Sequence, residues 1–207
     1  GPAASGKSTV GALLAQELGY IYFDTGVMYR AVTWAALKRG IPITHEQAVT
    51  TLSETLRIQV AKPTVNDGRQ YTVYADGEDV TWDLRRPEVN EHVSPVSAYP
   101  GVRRSLVKQQ RRIAQQGSIV MVGRDIGTVV LPDADLKLYL DGTVAERARR
   151  RYLEVVQRNG EQAEHNHTQD SVYQSIYQAL ARRDEIDSKR LVSPLHPAED
   201  AILVDTT

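Results

Sequence analysis

The sequence predicts an α/β fold: a parallel sheet core flanked by helices, carrying a small inserted lobe of antiparallel strands. Three observations predict it. Short apolar runs at residues 21–23, 118–122, 135–140 and 201–204 suit buried parallel strands. Segments with helical spacing of apolar residues alternate with them, as in a doubly wound sheet. Between residues 57 and 81 the pattern changes to short alternating runs separated by Asn66-Asp67-Gly68 and Asp76-Gly77, both turn signals.

The elements follow in order. Residues Val10, Leu13, Leu14 and Leu18 keep helical spacing until Gly19 stops them. After the strand at 21–23, a second helix covers residues 28–38 and ends at Gly40; a third spans 44–56. The lobe's strands are expected at 57–61, 70–75 and 78–81. Residues 87–116 read as mainly helical, interrupted near Pro95 and Pro100 and closed by Gly117. Strands at 118–122 and 135–140 enclose a loop at 123–132. Helices at 144–158 and 171–190 flank a polar joint at 159–169, and a last strand runs over 201–204.

The 207 residues are 41% hydrophobic and 25% charged, ordinary for a soluble globular protein. No apolar run approaches the length of a membrane span, and no cationic, apolar leader is present, so a cytoplasmic protein without a membrane partner is expected. With no cysteine there is neither a disulfide framework nor a zinc-thiolate site. A net charge of -1 gives no reason to expect a nucleic-acid surface. The 25 cations comprise nineteen arginines and six lysines, a bias toward the side chain that grips phosphate with a two-pronged fork. An arginine-rich proteome would produce the same bias.

The chain opens with GPAASGKST. Gly1, Gly6, Lys7 and Ser8 satisfy G-x-x-x-x-G-K-[ST], in which backbone N–H groups cradle phosphate, the lysine reaches β/γ oxygens and the hydroxyl ligates magnesium. The cradle comprises Gly1, Pro2, Ala3, Ala4, Ser5, Gly6, Lys7, Ser8 and Thr9, at a helix N-terminus whose dipole favours anions. A buried strand normally precedes such a loop; here the first glycine is residue 1, so that strand is expected to be missing from the chain. The motif alone does not separate a GTPase, a motor ATPase and a small-molecule kinase. No N-K-x-D guanine-reading motif occurs, and the chain is short for a mechanical ATPase.

Candidate acceptor residues lie elsewhere. Asp24 and Thr25 sit at a strand's carboxyl end, where open α/β sheets bind ligands, and Arg30 follows about one helical turn on. Simple helix capping would also explain Asp24 and Thr25. Ser94 and Arg103 bracket the proline-rich stretch, and Gly123-Arg124-Asp125 follows a strand; these polar groups suit a cleft, although a structural ion pair is the alternative for Arg124. Ile176, Leu180, Arg183, Asp187 and Arg190 share one helix face, which carries the charges inward with the apolar residues unless they form an exposed salt-bridge ladder. Arg147 and Arg151, four apart, can present two forks to one phosphate chain; Arg149 and Arg150 beside them raise the alternative of a solvated basic face.

Together GPAASGKST, DTGVMYR, SAYPGVR, VGRDIGTVVLPDADLKLYLD, ERARRR and RRDEIDSKR closely resemble the bacterial-type cytidylate kinases, within the nucleoside monophosphate kinases, from end to end. The resemblance implies a P-loop kinase fold with a core of residues 1–24 and 117–207. It implies a monophosphate-binding region at 25–116 that includes the lobe at about 57–81, and a short lid at about 147–169. It implies phosphoryl transfer from ATP to CMP or dCMP with magnesium, by a monomer. Cytosine would be read by Ser94, Arg103 and Asp125, the monophosphate held by Arg30, Arg124 and Arg190, and the sugar contacted by Arg183 and Asp187. Lys7, Arg147 and Arg151 would act on the transferring phosphoryl. A kinase for UMP, AMP or a non-nucleotide acceptor, or a nucleotide-binding regulatory protein, are the competing readings.

Overall fold

The computed structural model describes residues 1–61, 63–115, 117–159 and 170–207. The joint expected at 159–169 therefore lies outside the described residues beyond its first position. Helix α1 (Lys7–Leu18) grows directly out of the glycine-rich loop, the Val10 N–H bonding to the Gly6 carbonyl at 3.0 Å. Gly6 at φ 82° occupies the left-handed region, which costs glycine little and side-chain-bearing residues more. Strand β1 (Ile21–Asp24) and helix α2 (Gly26–Lys38) come next. Helix α3 (Glu46–Thr55) precedes the lobe, formed by β2 (Ile58–Ala61), β3 (Thr72–Ala75) and β4 (Glu78–Asp79). A 3-10 turn at Asp83–Arg85 leads into α4 (Pro87–Ala98) and α5 (Pro100–Ala114). Then come β5 (Ile119–Val122), a π turn at Ile126–Val130, β6 (Leu138–Asp141), α6 (Val144–Asn159), α7 (Ser171–Lys189) and β7 (Ile202–Asp205).

The expected strand types are present. β1 runs parallel to β5 with Asp24 opposite Val122, and β6 runs parallel to β7 with Asp141 opposite Asp205. The lobe is antiparallel in the order β2-β3-β4. Contacts divide the chain into two compact units, residues 14–122 and residues 1–13 with 123–207. In the first, α2 packs on α4 and α3 on α5, around a core that includes Phe23, Met28, Val32, Val49, Val73 and Leu106. Each such side chain stabilises by about 1.5–3 kcal/mol when taken from water. In the second, α6 and α7 pack through Ala148, Tyr152, Val156 and Tyr173, the two rings meeting edge to face at 6.2 Å. Asp170 caps α7, accepting from the Val172 N–H at 2.7 Å and from the Tyr152 hydroxyl at 2.8 Å. No helix among the described residues is long and apolar enough to cross a membrane.

Three local expectations are corrected. Pro95 does not interrupt its segment: it lies inside α4, where buried Val89, Val93 and Val96 hold the helix together despite the lost N–H. The break falls only at Tyr99, whose ψ of 119° is the extended setting that a following proline imposes, and Pro100 starts α5 at a position that needs no N–H partner. Strand β5 begins at Ile119 rather than at 118, because Ser118 sits at φ 48°. Strand β6 begins three residues later than expected, at Leu138.

Where α5 crosses α3, a Cβ on Gly101 would overlap the Thr50 methyl and lie 2.6 Å from its hydroxyl. Gly101→Ala should lower stability by roughly 1–3 kcal/mol, and Thr50→Ala in the same chain should return part of it. Thermal melts of the single and double variants check this; an unshifted midpoint for Gly101→Ala contradicts the packing.

Candidate active site

The phosphate loop is held from outside by its carbonyls. Arg147 Nη1 donates to the Ala3 carbonyl at 2.9 Å, and the Thr206 hydroxyl, which donates to the Asp141 carbonyl at 2.6 Å, lies 3.4 Å from that of Ser5. The Pro2 carbonyl accepts from the Ser5 hydroxyl at 3.1 Å and from the Lys7 ammonium. A peptide plane fixed by its carbonyl points its N–H the opposite way, so these contacts set the donor directions of the cradle. Ala4 adopts φ 58° and Gly6 φ 82°, two left-handed positions separated by Ser5 that turn the loop. Gly1 is packed so closely that a Cβ there would overlap the Leu140 carbonyl on β6. Lys7 lies 3.3 Å from the Ser5 hydroxyl, folded over its own loop, while Ser8 and Thr9 are exposed residues in the first turn of α1.

Arg147 is almost fully buried. Besides Ala3 it reaches the Gly142 carbonyl at 2.8 Å through Nε and Asp184 at 2.5 Å through Nη2. Arg151, on the same helix, is exposed and pairs with Glu154 at 2.7 Å, so the two do not stand together as free forks. Arg149 and Arg150 both bind Glu146 and pull its carboxyl down to about 2, the Arg149 hydrogen bond being the largest cause. That is the solvated-face arrangement for those two residues.

The face of α7 turns inward as its spacing predicts. Tyr173, Ile176, Leu180, Arg183 and Asp187 are buried or half-buried, and an exposed ladder is excluded. Asp187 is the centre of a charged triad: it pairs with Arg124 Nε through one oxygen and with Arg190 Nη1 at 3.1 Å through the other. Arg190, just past the helix, also donates to the Ser193 carbonyl at 2.5 Å. Two guanidinium groups against one carboxylate give the triad a net positive charge. Asp125, 6% exposed, opens the π turn, its carbonyl accepting from the Val129 N–H at 2.9 Å. Single π turns recur at functional sites.

The remaining candidates belong to residues 14–122. Asp24 accepts from the Gly26 N–H at 2.9 Å, so it does serve the start of α2, while the Thr25 hydroxyl donates to the Val122 carbonyl at 3.0 Å. Arg30 donates to the Leu84 carbonyl at 3.1 Å and to the Asn90 amide oxygen at 2.6 Å. Arg103 is 2% exposed, donates to the Ser97 carbonyl at 2.9 Å and lies 5.5 Å from the centre of the Tyr29 ring. Ser94 is half-buried on α4 and its carbonyl accepts from the Ser97 hydroxyl at 2.9 Å. Asp125, the third residue of the expected cytosine set, belongs to the other unit.

The geometry adds residues that sequence reasoning passed over. Asp184 stands four residues after Leu180, so the phase rule that selected Arg183 would have selected it too. Tyr71, beside the lobe, packs its ring 6.1 Å from that of Tyr22. Burial first, and the Asp24 charge second, push its hydroxyl up to about 12. Gln110 lies two helical turns along α5 from Arg103, 1% exposed, with no hydrogen bond to its side-chain amide among the described residues.

The glycine-rich loop running into a helix, the parallel strands and the inserted antiparallel sheet define a P-loop nucleoside monophosphate kinase fold. A family model described as "Cytidylate kinase" matches residues 1–207. Curated relatives named cytidylate kinase include one from Chloroflexus aggregans, 54% identical over 204 residues, covering 99% of this chain and 83% of its own. Another, from Herpetosiphon aurantiacus, is 47% identical over 100% of this chain and 84% of its own. A third, from Bacillus velezensis, is 45% identical over 100% of this chain and 87% of its own. The chain belongs to the cytidylate kinase family.

Removing the Arg147 fork should strand Asp184 and release the Ala3 carbonyl. Arg147→Ala is expected to cost about 3 kcal/mol of stability and to raise the KM for the phosphoryl donor more than that for the acceptor. Denaturant titration and steady-state kinetics check both; unchanged stability would show that the buried fork is not a brace.

Proposed function

We propose that this protein transfers the γ-phosphoryl of ATP to CMP or dCMP, yielding ADP and CDP or dCDP. Membership of the cytidylate kinase family carries the reading, and the presence of a separate Arg124–Asp187–Arg190 cluster beside a phosphate-loop motif in the chain supports it. In this reading the loop from Gly1 to Thr9 and Lys7 hold the ATP phosphates. The Lys7 ammonium exchanges its contacts with the loop for β/γ oxygens. Arg151 supplies a further cation: its exposed pair with Glu154 is worth at most about 1 kcal/mol and gives way readily to a triphosphate. Arg147 acts from the buried side, by fixing the loop.

The residues present fit a magnesium ion that arrives with the nucleotide. The described residues contain no group of three or more His, Cys, Asp or Glu side chains able to hold a metal. Ser8 would provide one hydroxyl, and phosphate oxygens and water the remainder, as magnesium favours. When bound, the ion neutralises charge on the β and γ phosphates.

Arg30, Arg124 and Arg190 are assigned the acceptor's monophosphate, Arg183 and Asp187 its sugar, and Ser94, Arg103 and Asp125 its base; Asp24 and Thr25 shape the entry of α2. Cytosine offers an exocyclic amine to a carboxylate or hydroxyl and ring acceptors to an arginine, matching these donor types. The reaction needs alignment and charge neutralisation rather than a protein nucleophile: an acceptor phosphate oxygen attacks in line. A core at 1–24 and 117–207, a monophosphate-binding region at 25–116 and a lid at about 147–169 that closes against water complete the reading. The enzyme works as a monomer in the cytoplasm.

A product-resolved assay with ATP against CMP, dCMP, UMP and AMP tests the assignment; a clear preference for AMP or UMP overturns it, and nucleotide binding without acceptor-dependent ADP release would mark a regulatory protein. Lys7→Ala should lower kcat by about a hundredfold or more with the fold intact. Asp125→Ala should reduce discrimination between CMP and UMP by roughly tenfold. An unchanged ratio would remove Asp125 from base recognition.

A further inference from the structure

We infer that Asn90 is a positioning residue for acceptor phosphate binding, fixing the guanidinium of Arg30 in its working orientation. The inference rests on the assignment of Arg30 to the acceptor phosphate. Arg30 projects from α2, and one of its terminal nitrogens, Nη1, donates to two oxygens: the Asn90 side-chain oxygen at 2.6 Å and the Leu84 carbonyl at 3.1 Å. The orientation of the Asn90 amide is determined by its other end. Its Nδ2 donates to the Arg85 and Arg86 carbonyls, each at 3.0 Å, which are the last residues before α4. An amide whose nitrogen is committed to two carbonyls must turn its oxygen the other way, and that oxygen meets Arg30.

The bracket is rigid although Asn90 itself is exposed. Its backbone N–H bonds to the Arg86 carbonyl at 3.1 Å in the first turn of α4, and the Leu84 side chain anchors the preceding turn at 2% exposure. Both of these oxygens are neutral, so the bracket orients the guanidinium without itself cancelling its charge, as a carboxylate in the place of the Asn90 amide would. Holding one Nη in this way orients the planar group, whose other nitrogens share that plane. A simple staple between α2 and α4 is the structural alternative, and it predicts no link to the phosphate.

Affinities for CMP and for cytidine, which lacks the phosphate, distinguish the two on the full chain. Asn90→Ala should weaken CMP by about fivefold, the worth of one lost hydrogen bond, and leave cytidine and the KM for ATP unchanged. Asn90→Ser, whose hydroxyl is too short to reach Arg30, should do the same and guards against misfolding of the alanine variant; melts of both verify folding. Arg30→Ala should weaken CMP further, and in that background Asn90→Ala should add no more than about twofold. If CMP and cytidine weaken alike, or if the Asn90 penalty persists at full size without Arg30, the inference is overturned. Loss of CMP affinity in Arg30→Ala with none in either Asn90 variant overturns it alone. An Arg30→Ala variant with normal CMP affinity overturns the assignment of Arg30, and the role of Asn90 with it.

Discussion

The nucleotide side of this fold depends on one constraint, the direction of the peptide planes in the first six residues. A phosphate cradle is a set of N–H groups pointing inward, and a short loop at a helix start does not hold that arrangement by itself, since two of its residues must adopt left-handed backbone angles. Ala4 at φ 58° shows that the turn is imposed on the chain as well as permitted by glycine. The compensation comes from side chains remote in sequence. Arg147, 144 positions from Ala3, takes a loop carbonyl and thereby sets the donor on the opposite edge of that peptide, while Thr206, 201 positions from Ser5, sets its hydroxyl against the loop. Asp184 completes the support by holding Arg147 in place.

A second constraint is how cations are kept available for phosphate. An arginine paired with a carboxylate of its own is well placed but electrically spent. Arg149 and Arg150 share Glu146 and Arg69 lies between Asp67 and Asp79, whose carboxyls fall below their usual range under the Arg69 and local hydroxyl or indole hydrogen bonds. Several of the residues assigned to the ligands have neutral or shared partners, although Arg151 pairs with Glu154. Lys7 touches a carbonyl and a hydroxyl, Arg30 a carbonyl and an amide, and Arg103, assigned to the base, a carbonyl and an aromatic face. Arg124 and Arg190 divide a single carboxylate between them. Contacts with neutral oxygens orient these groups without themselves cancelling charge.

Much of this was legible in the sequence, for identifiable reasons. The loop is a contiguous motif whose residue types follow from its chemistry, and the α7 stripe obeys a phase that burial enforces, so both were readable. The lobe announced itself by its turns. Pro95 misled because a local rule, the missing N–H, is outweighed by three buried valines on the same helix. Ser118 misled because an apolar run gives no sign of a left-handed residue at its edge. Arg147 was picked for its phase on α6, but its buried surroundings depend on Gly142, Ala3 and Asp184, which no spacing rule connects. Asn90 carried no signal: its partner is 60 positions away and its residue type is common in exposed first turns.

The inserted lobe gains a role from the same logic. Its last strand, β4, leads through the turn at Asp83–Arg85 into α4, and that turn supplies the carbonyl and anchors the amide that hold Arg30. At the start of β3, Tyr71 packs on Tyr22, which shares a strand face with Asp24 two residues further along β1. The lobe therefore touches the acceptor-side residues twice, through an aromatic contact with the strand that ends in Asp24 and through the turn that orients Arg30. The Asp67–Arg69–Asp79 ion pairs tie the segment before β3 to β4. The Leu84 carbonyl and the Asn90 anchor lie on the one short connection from the lobe to α4, so the segment that leaves the lobe is also the segment that orients Arg30.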